Sequence, residues 1–230
     1  MKNFRLIMVL FCTLILTTPS FAQFQVGASV GINLSGLSIN PDVAGRNINT
    51  NSGLTAGAIL IYNFSPMIGV QIEPAYTQAG ASVYSAQTDE GLILEIDQTI
   101  EMSYVAVPIL FKVSFPGDFI TPYLMGGANF GFPLDNTKLT IDNVTVNGED
   151  FTSNIPSELL EQELKNDSID FGLSFGAGLS FPIGVIDMIF QAQYNLGLTD
   201  INDEDPQEGV QQDEIKTRGF EVTGGVLLAL

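Results

Sequence analysis

The sequence predicts an all-β protein, one antiparallel sheet closed into a barrel, on three observations. Apolar residues recur at every second position over long stretches, the residues between them are small and polar, and the links between stretches alternate short and long. A period of two puts successive side chains on opposite faces of a strand. In "SIDFGLSFGAGLSF" (168–181), Ile169, Phe171, Leu173, Phe175, Ala177, Leu179 and Phe181 make one face, and Asp170, Gly172, Ser174, Gly176, Gly178 and Ser180 make the other. A sheet with one solvated face usually carries long polar side chains there. A Gly/Ser face fits a narrow polar interior instead, with the greasy face turned outward to lipid.

The chain opens with "MKNFRLIMVLFCTLILTTPSFAQ", in which Lys2 and Arg5 precede an apolar run from Leu6 to Leu16 and the small-x-small step Ser20-Phe21-Ala22. That layout predicts a secretory signal peptide over 1–22 and a barrel domain over 23–230. The run is shorter than the ~20 residues that a spanning helix needs. Cys12 is the one cysteine and lies inside the run, so the mature chain is expected to fold without disulfides.

Eight dyad segments follow, at roughly 24–36, 52–63, 67–81, 99–114, 119–131, 168–181, 185–199 and 216–230. The first sets Phe24, Val26, Ala28, Val30, Ile32 and Leu34 against Gln25, Gly27, Ser29, Gly31, Asn33 and Ser35. The seventh sets Ile186, Met188, Phe190, Ala192, Tyr194, Leu196 and Leu198 against Asp187, Gln191, Gln193, Asn195 and Gly197. The eighth sets Phe220, Val222, Val226, Leu228 and Leu230 against Glu221, Thr223 and Gly225. Each is long enough for a tilted strand to cross a bilayer, ~9–11 residues. The links "FSP", "FPGD" and "PIG" are tight Pro/Gly turns. The links 37–51, 82–98, 132–167 and 200–215 are long and hold 20 of the 26 acidic residues. Short turns on one side and long loops on the other match an outer-membrane barrel with periplasmic turns and acidic extracellular loops. Outward positions are nearly free of charge, as a lipid face requires; Lys216 and Arg218 lie at the loop end of the last strand.

The quoted runs "VGASVGINLSGL", "GAILIYNFSPMIGVQIEPAYTQAGA", "MSYVAVPILFKVSF", "ITPYLMGGANFG", "SIDFGLSFGAGLSF" and "QAQYNLGLTDIND" resemble the outer-membrane β-barrel domain family of the Bacteroidota, the PorT-like or porin-family proteins. The resemblance covers essentially the whole mature chain, and the linked motifs "EPAYTQAG", "PILFKV" and "QYNLGLTDI" carry it. It implies an eight-stranded antiparallel transmembrane β-barrel, OmpA/OmpX-like, in the outer membrane of a Gram-negative cell. Outer-membrane lipid and the barrel-assembly machinery are the implied partners, with an extracellular or secretion-system protein as a further one. Two positions depart from the family pattern: Ala106 stands where relatives often place an inward acid, and the chain closes on Leu230 rather than an aromatic.

Inward positions that break the polar pattern are Ile59, Ile61, Leu110, Ile189 and Leu227, all toward the short-turn ends of their strands. They predict an apolar layer across the lower lumen, with Glu73, Lys112 and Asp187 as inward charges beside it. A salt-bridge network is the structural reading of those charges and a proton or small-solute path the functional one. Eight strands enclose a lumen that side chains fill, so the expected role is structural or interactive, with a small-solute channel or carrier as the alternative. A lipocalin-like calyx would reverse the two faces. The chain has no histidine, which excludes Ser–His and Cys–His catalysis; no enzyme activity, cofactor or nucleic-acid partner is expected. In "TDINDEDPQEG", Asp200, Asp203 and Asp205 are candidate ligands for a hard cation, against the competing reading of a solvated acidic loop. In "PSELLEQELKN", Pro156 or Ser157 opens an expected short lid helix with Leu159, Leu160 and Leu164 on one face.

Overall fold

The computed structural model describes residues 24–40, 46–89, 91–134, 136–164, 169–199 and 214–230, except for the side chains of residues 37–40, 46, 89, 158, 164, 214 and 215. They form twelve strands: β1 (Phe24–Asn40), β2 (Arg46–Asn63), β3 (Ile68–Ile72), β4 (Ala75–Asp89), β5 (Leu92–Ser114), β6 (Thr121–Pro133), β7 (Thr137–Val146), β8 (Glu149–Asp150), β9 (Glu161–Leu164), β10 (Asp170–Ile183), β11 (Ile186–Gly197) and β12 (Glu214–Ala229). All belong to one antiparallel sheet. Its ladders run from β1 through β2, then β3 and β4, β5, β6, β10, β11 and β12, and β12 pairs again with β1 from Gln25↔Ala229 to Asn40↔Glu214.

The twelve strands correct the expected eight. The segment 67–81 is broken at Glu73-Pro74, because Pro74 has no N–H to continue a ladder. Glu73 N–H still bonds Pro108 O at 3.2 Å and Pro74 O accepts from Ala58 N–H at 3.0 Å, so β3 and β4 follow one course between β2 and β5. The other three added strands come from the link 132–167: β7 pairs with β5 from Glu101↔Lys138 to Leu94↔Val146, and β8 and β9 pair with β7. The link 82–98 is not a loop either, since β4 and β5 stay paired out to Asp89↔Leu92. The expected lid helix is reduced to one turn, α1 (Ser157–Leu160), after Pro156. Residues 161–164 pair instead with the open edge of β7, and Leu159 is left exposed.

The two faces of the ring are the reverse of a soluble domain. Val30, Leu54, Phe111, Phe175, Phe190 and Phe220 point outward and are exposed, while Asn33, Thr55, Gln71, Ser174, Gln191 and Gln193 point inward and are buried. Aromatic contacts mark both rims: Phe24–Tyr62 and Tyr62–Phe64 (5.0 and 5.1 Å between centroids) at the short-turn end, and Phe130–Phe171 (5.4 Å) at the other. Past the second rim the polarity inverts. On the extension made by β4, β5 and β7, the outward register carries Glu95, Asp97 and Glu101, and the inward register carries Ala81, Val83 and Val144, all buried.

One irregularity is repaired by inward side chains. The β2–β4 register shifts between Thr50 and Thr55, which leaves β4 backbone groups without ladder partners. Asn33 Nδ2 donates to Gln78 O (3.1 Å), and Ser35 Oγ both donates to Gly80 O (3.1 Å) and accepts from Gly80 N–H (2.8 Å).

Candidate functional site: the filled lumen

The inward face of the ring converges on one centre, the Glu73 carboxylate. The Glu73-Pro74 break sets it 5 % exposed among side chains from β3, β6 and β11. Its Oε1 accepts from Gln191 Nε2 at 2.6 Å and from Gln71 Nε2, and its Oε2 accepts from Gln193 Nε2. Gln191 Oε1 in turn accepts from the Tyr123 hydroxyl (3.0 Å) and from Gln71 Nε2 (3.2 Å). Amide and phenol donors thus bridge β3, β6 and β11 across the interior. Hydrogen bonds to a carboxylate are stronger than neutral ones, which offsets part of the cost of burying the charge.

The Gly/Ser face of β10 is what makes this crossing possible. A Cβ at Gly178 would overlap the Tyr123 ring, and one at Gly176 would lie 2.8 Å from Met125 Cε and 2.9 Å from Gln193 Cγ. Tyr123↔Gly178 and Met125↔Gly176 are register partners, so each large side chain of β6 lies over a glycine of β10. Small residues on one strand vacate the space that long residues on its neighbours fill.

The five apolar residues anticipated in the lower lumen are each at most 1 % exposed, in two groups. Ile59, Ile61, Ile189 and Leu227 pack together, whereas Leu110 packs with Tyr123 and Met125. The three anticipated charges are placed differently from one another. Glu73 is held by glutamines. Lys112 Nζ lies 4.0 Å from the Tyr123 ring centroid, within electrostatic reach of Glu73 and Asp187. Asp187 accepts from Gln25 Nε2 at 2.8 Å, and Gln25 Oε1 accepts from Asn63 Nδ2 at 3.2 Å, a separate chain at the short-turn rim.

Sequence reasoning did not single out Gln71, Tyr123, Gln191, Gln193 or Glu221. Glu221 sits opposite Gln193, and the Thr55 hydroxyl reaches its carboxylate. All five occupy inward dyad positions, and that parity was the available signal. Asp200, Asp203 and Asp205 lie outside the described residues. Among those residues no three His, Cys, Asp or Glu side chains group closely enough to hold a metal ion, and no helix is long and apolar enough to cross a membrane.

The chain belongs to the outer membrane protein beta-barrel domain family, which it matches over residues 20–203. The fold is accordingly an all-β outer-membrane barrel, and the protein belongs in the outer membrane. Among solved structures, it is similar to OprG from Pseudomonas aeruginosa (15% identity, 90% of this chain and 96% of that one, TM-score 0.47) and to Neisserial surface protein A (14% identity, 90% and 97%, TM-score 0.44). It is also similar to Ail, the attachment invasion locus protein of Yersinia pestis (15% identity, 90% and 99%, TM-score 0.41). No curated protein sequence matches it.

Proposed function

We propose that this protein is an eight-position transmembrane barrel of the PorT-like type, delivered by a cleaved signal peptide, with its lumen closed and a structural or interaction role at the outer membrane. The observation that carries this reading is the network centred on Glu73, which bridges the interior and shares Tyr123 with one of the two buried apolar groups. A lumen filled by hydrogen-bonded side chains and apolar packing offers no continuous water path, and an apolar layer tends to dewet and bar ions. The ring ladders support the strand count, since β3 and β4 share one position and β7, β8 and β9 stand outside the ring. The short turns lie on the periplasmic side, and the β4–β5–β7 extension rises outside the cell. Its acidic outward register is the surface offered to an extracellular or secretion-system protein. No catalytic role is assigned to any residue.

The test is swelling of liposomes that contain the refolded protein in solutions of small sugars and amino acids. The reading expects swelling no faster than in protein-free liposomes. Swelling that scales inversely with solute size would establish the small-solute channel instead.

A further inference from the structure

Above the Glu73 network lies a second polar feature, a cavity of about 40 Å³ whose wall includes Ser35, Tyr104, Asn129, Asp170, Asn195 and Thr217. We propose that this cavity is a calcium site, with Asp170, Asn129 and Asn33 supplying oxygen ligands.

Three observations on the side chains carry it. Asp170 Oδ2 accepts from the Thr217 hydroxyl at 2.6 Å, but Asp170 Oδ1 is buried with no donor. Asn129 Oδ1 is likewise buried with no donor. Asn33, 1 % exposed, commits its Nδ2 to Gln78 O, which fixes the amide orientation and leaves Oδ1 without a partner. That oxygen lies 3.0 Å from where a Cβ of Gly219 would stand, and Gly219 lines the same cavity. Each buried acceptor without a donor costs ~1–3 kcal/mol, so the two in the cavity wall, with the Asn33 oxygen beside its Gly219, call for a shared partner.

Charge decides between water and a cation. Asp170 is the one acid of the cavity wall, and the Tyr104 ring beside it lies within electrostatic reach of both Asp170 and Glu221. Among the described residues, no base is among the groups that act on Asp170. Arg218 also belongs to the wall, but it sits on the exposed, outward register of β12. A water occupies roughly 10–15 Å³ on this measure, so the cavity admits one ion with one or two waters. Calcium accepts carboxylate, amide carbonyl and water oxygens in flexible geometry, whereas magnesium demands a strict octahedron and keeps its own waters. A single carboxylate ligand places the affinity at the weak end, about 10⁻⁴–10⁻³ M. Amide oxygens, rather than grouped carboxylates, supply most of the proposed ligand set.

The experiment is urea unfolding of the refolded mature barrel in detergent, read by gel mobility before heating, in EDTA, in calcium and in magnesium. At calcium about tenfold above its Kd, the folded-to-unfolded ratio should rise about tenfold, with a smaller rise in magnesium. Asp170→Asn supplies an amide donor in place of the charge and should fold with no calcium response, while Asp142→Asn on the exposed extension should respond like wild type. Asn129→Asp is the second variant, and it should shift the response to lower calcium. Equal midpoints in calcium and EDTA for wild type would mean that water alone fills the cavity. An undiminished calcium response in Asp170→Asn, or an unshifted one in Asn129→Asp, would place calcium elsewhere; each of these results overturns the proposal.

Discussion

Tyr123 and Gly178 show why a greasy barrel wall needs glycine on its inner face. The phenol reaches Gln191 only because β10 presents no Cβ beneath the ring. Gly178→Ala should force the ring off its position and cost about 1–3 kcal/mol, the usual range for overpacking a filled interior, read as a lowered urea midpoint. An unchanged midpoint would show that the ring has room to move. At this scale the sequence was partly legible. Period two fixed which side chains face inward, and Ile59, Ile61, Leu110, Ile189 and Leu227 all proved buried. What parity cannot give is the partner across the lumen. Glu73 meets Gln191 and Gln193, 118 and 120 residues away, and no local pattern encodes that distance.

At the scale of elements, the difference between sequence and structure lies outside the apolar belt. The dyad is strong where one face meets lipid, and it reverses on β5 above Glu101, where Ile96 and Ile100 take the inward register and Glu95 and Asp97 the outward one. A search for outward grease stops there and reads the remainder as loop, although β4 and β5 continue to Asp89 and Leu92. The helix expected in residues 156–166 is cut to the single turn Ser157–Leu160 for a different reason. Apolar spacing alone did not register the open edge of β7, whose backbone groups bond residues 161–164. Within the extension, Glu95 Oε1 accepts from the Tyr84 hydroxyl at 2.6 Å and Oε2 from the Thr145 hydroxyl at 2.8 Å. These bonds, that of Tyr84 foremost, hold its carboxyl below the usual glutamate range. A depressed folded-state pKa means that the stabilisation is present above the unfolded pKa and lost as pH falls through the folded one. Amide exchange in β5 and β7 should therefore quicken in strong acid, below about pH 4, and Glu95→Gln should remove that step. Exchange independent of pH across this window, after correction for the intrinsic rate, would show that the two hydroxyl bonds contribute nothing.

For the whole molecule, the reversal of inside and outside is the organising fact. Phe175 is outward and exposed within β10, and Phe119 is exposed in the turn before β6. An arginine near the bilayer midplane costs about 2–4 kcal/mol, against about 0–1 near the interface. Phe175→Arg should therefore lower the folded yield in lipid vesicles well below that of Phe119→Arg. Equal yields would mean that β10 does not cross hydrocarbon in this register. The lumen is proposed to be closed by the Glu73 network together with the two buried apolar groups. Planar-bilayer current from the refolded wild-type protein tests it most directly. A closed lumen gives no discrete steps above the protein-free baseline; a steady, reproducible open level in the wild type would show the lumen to be open.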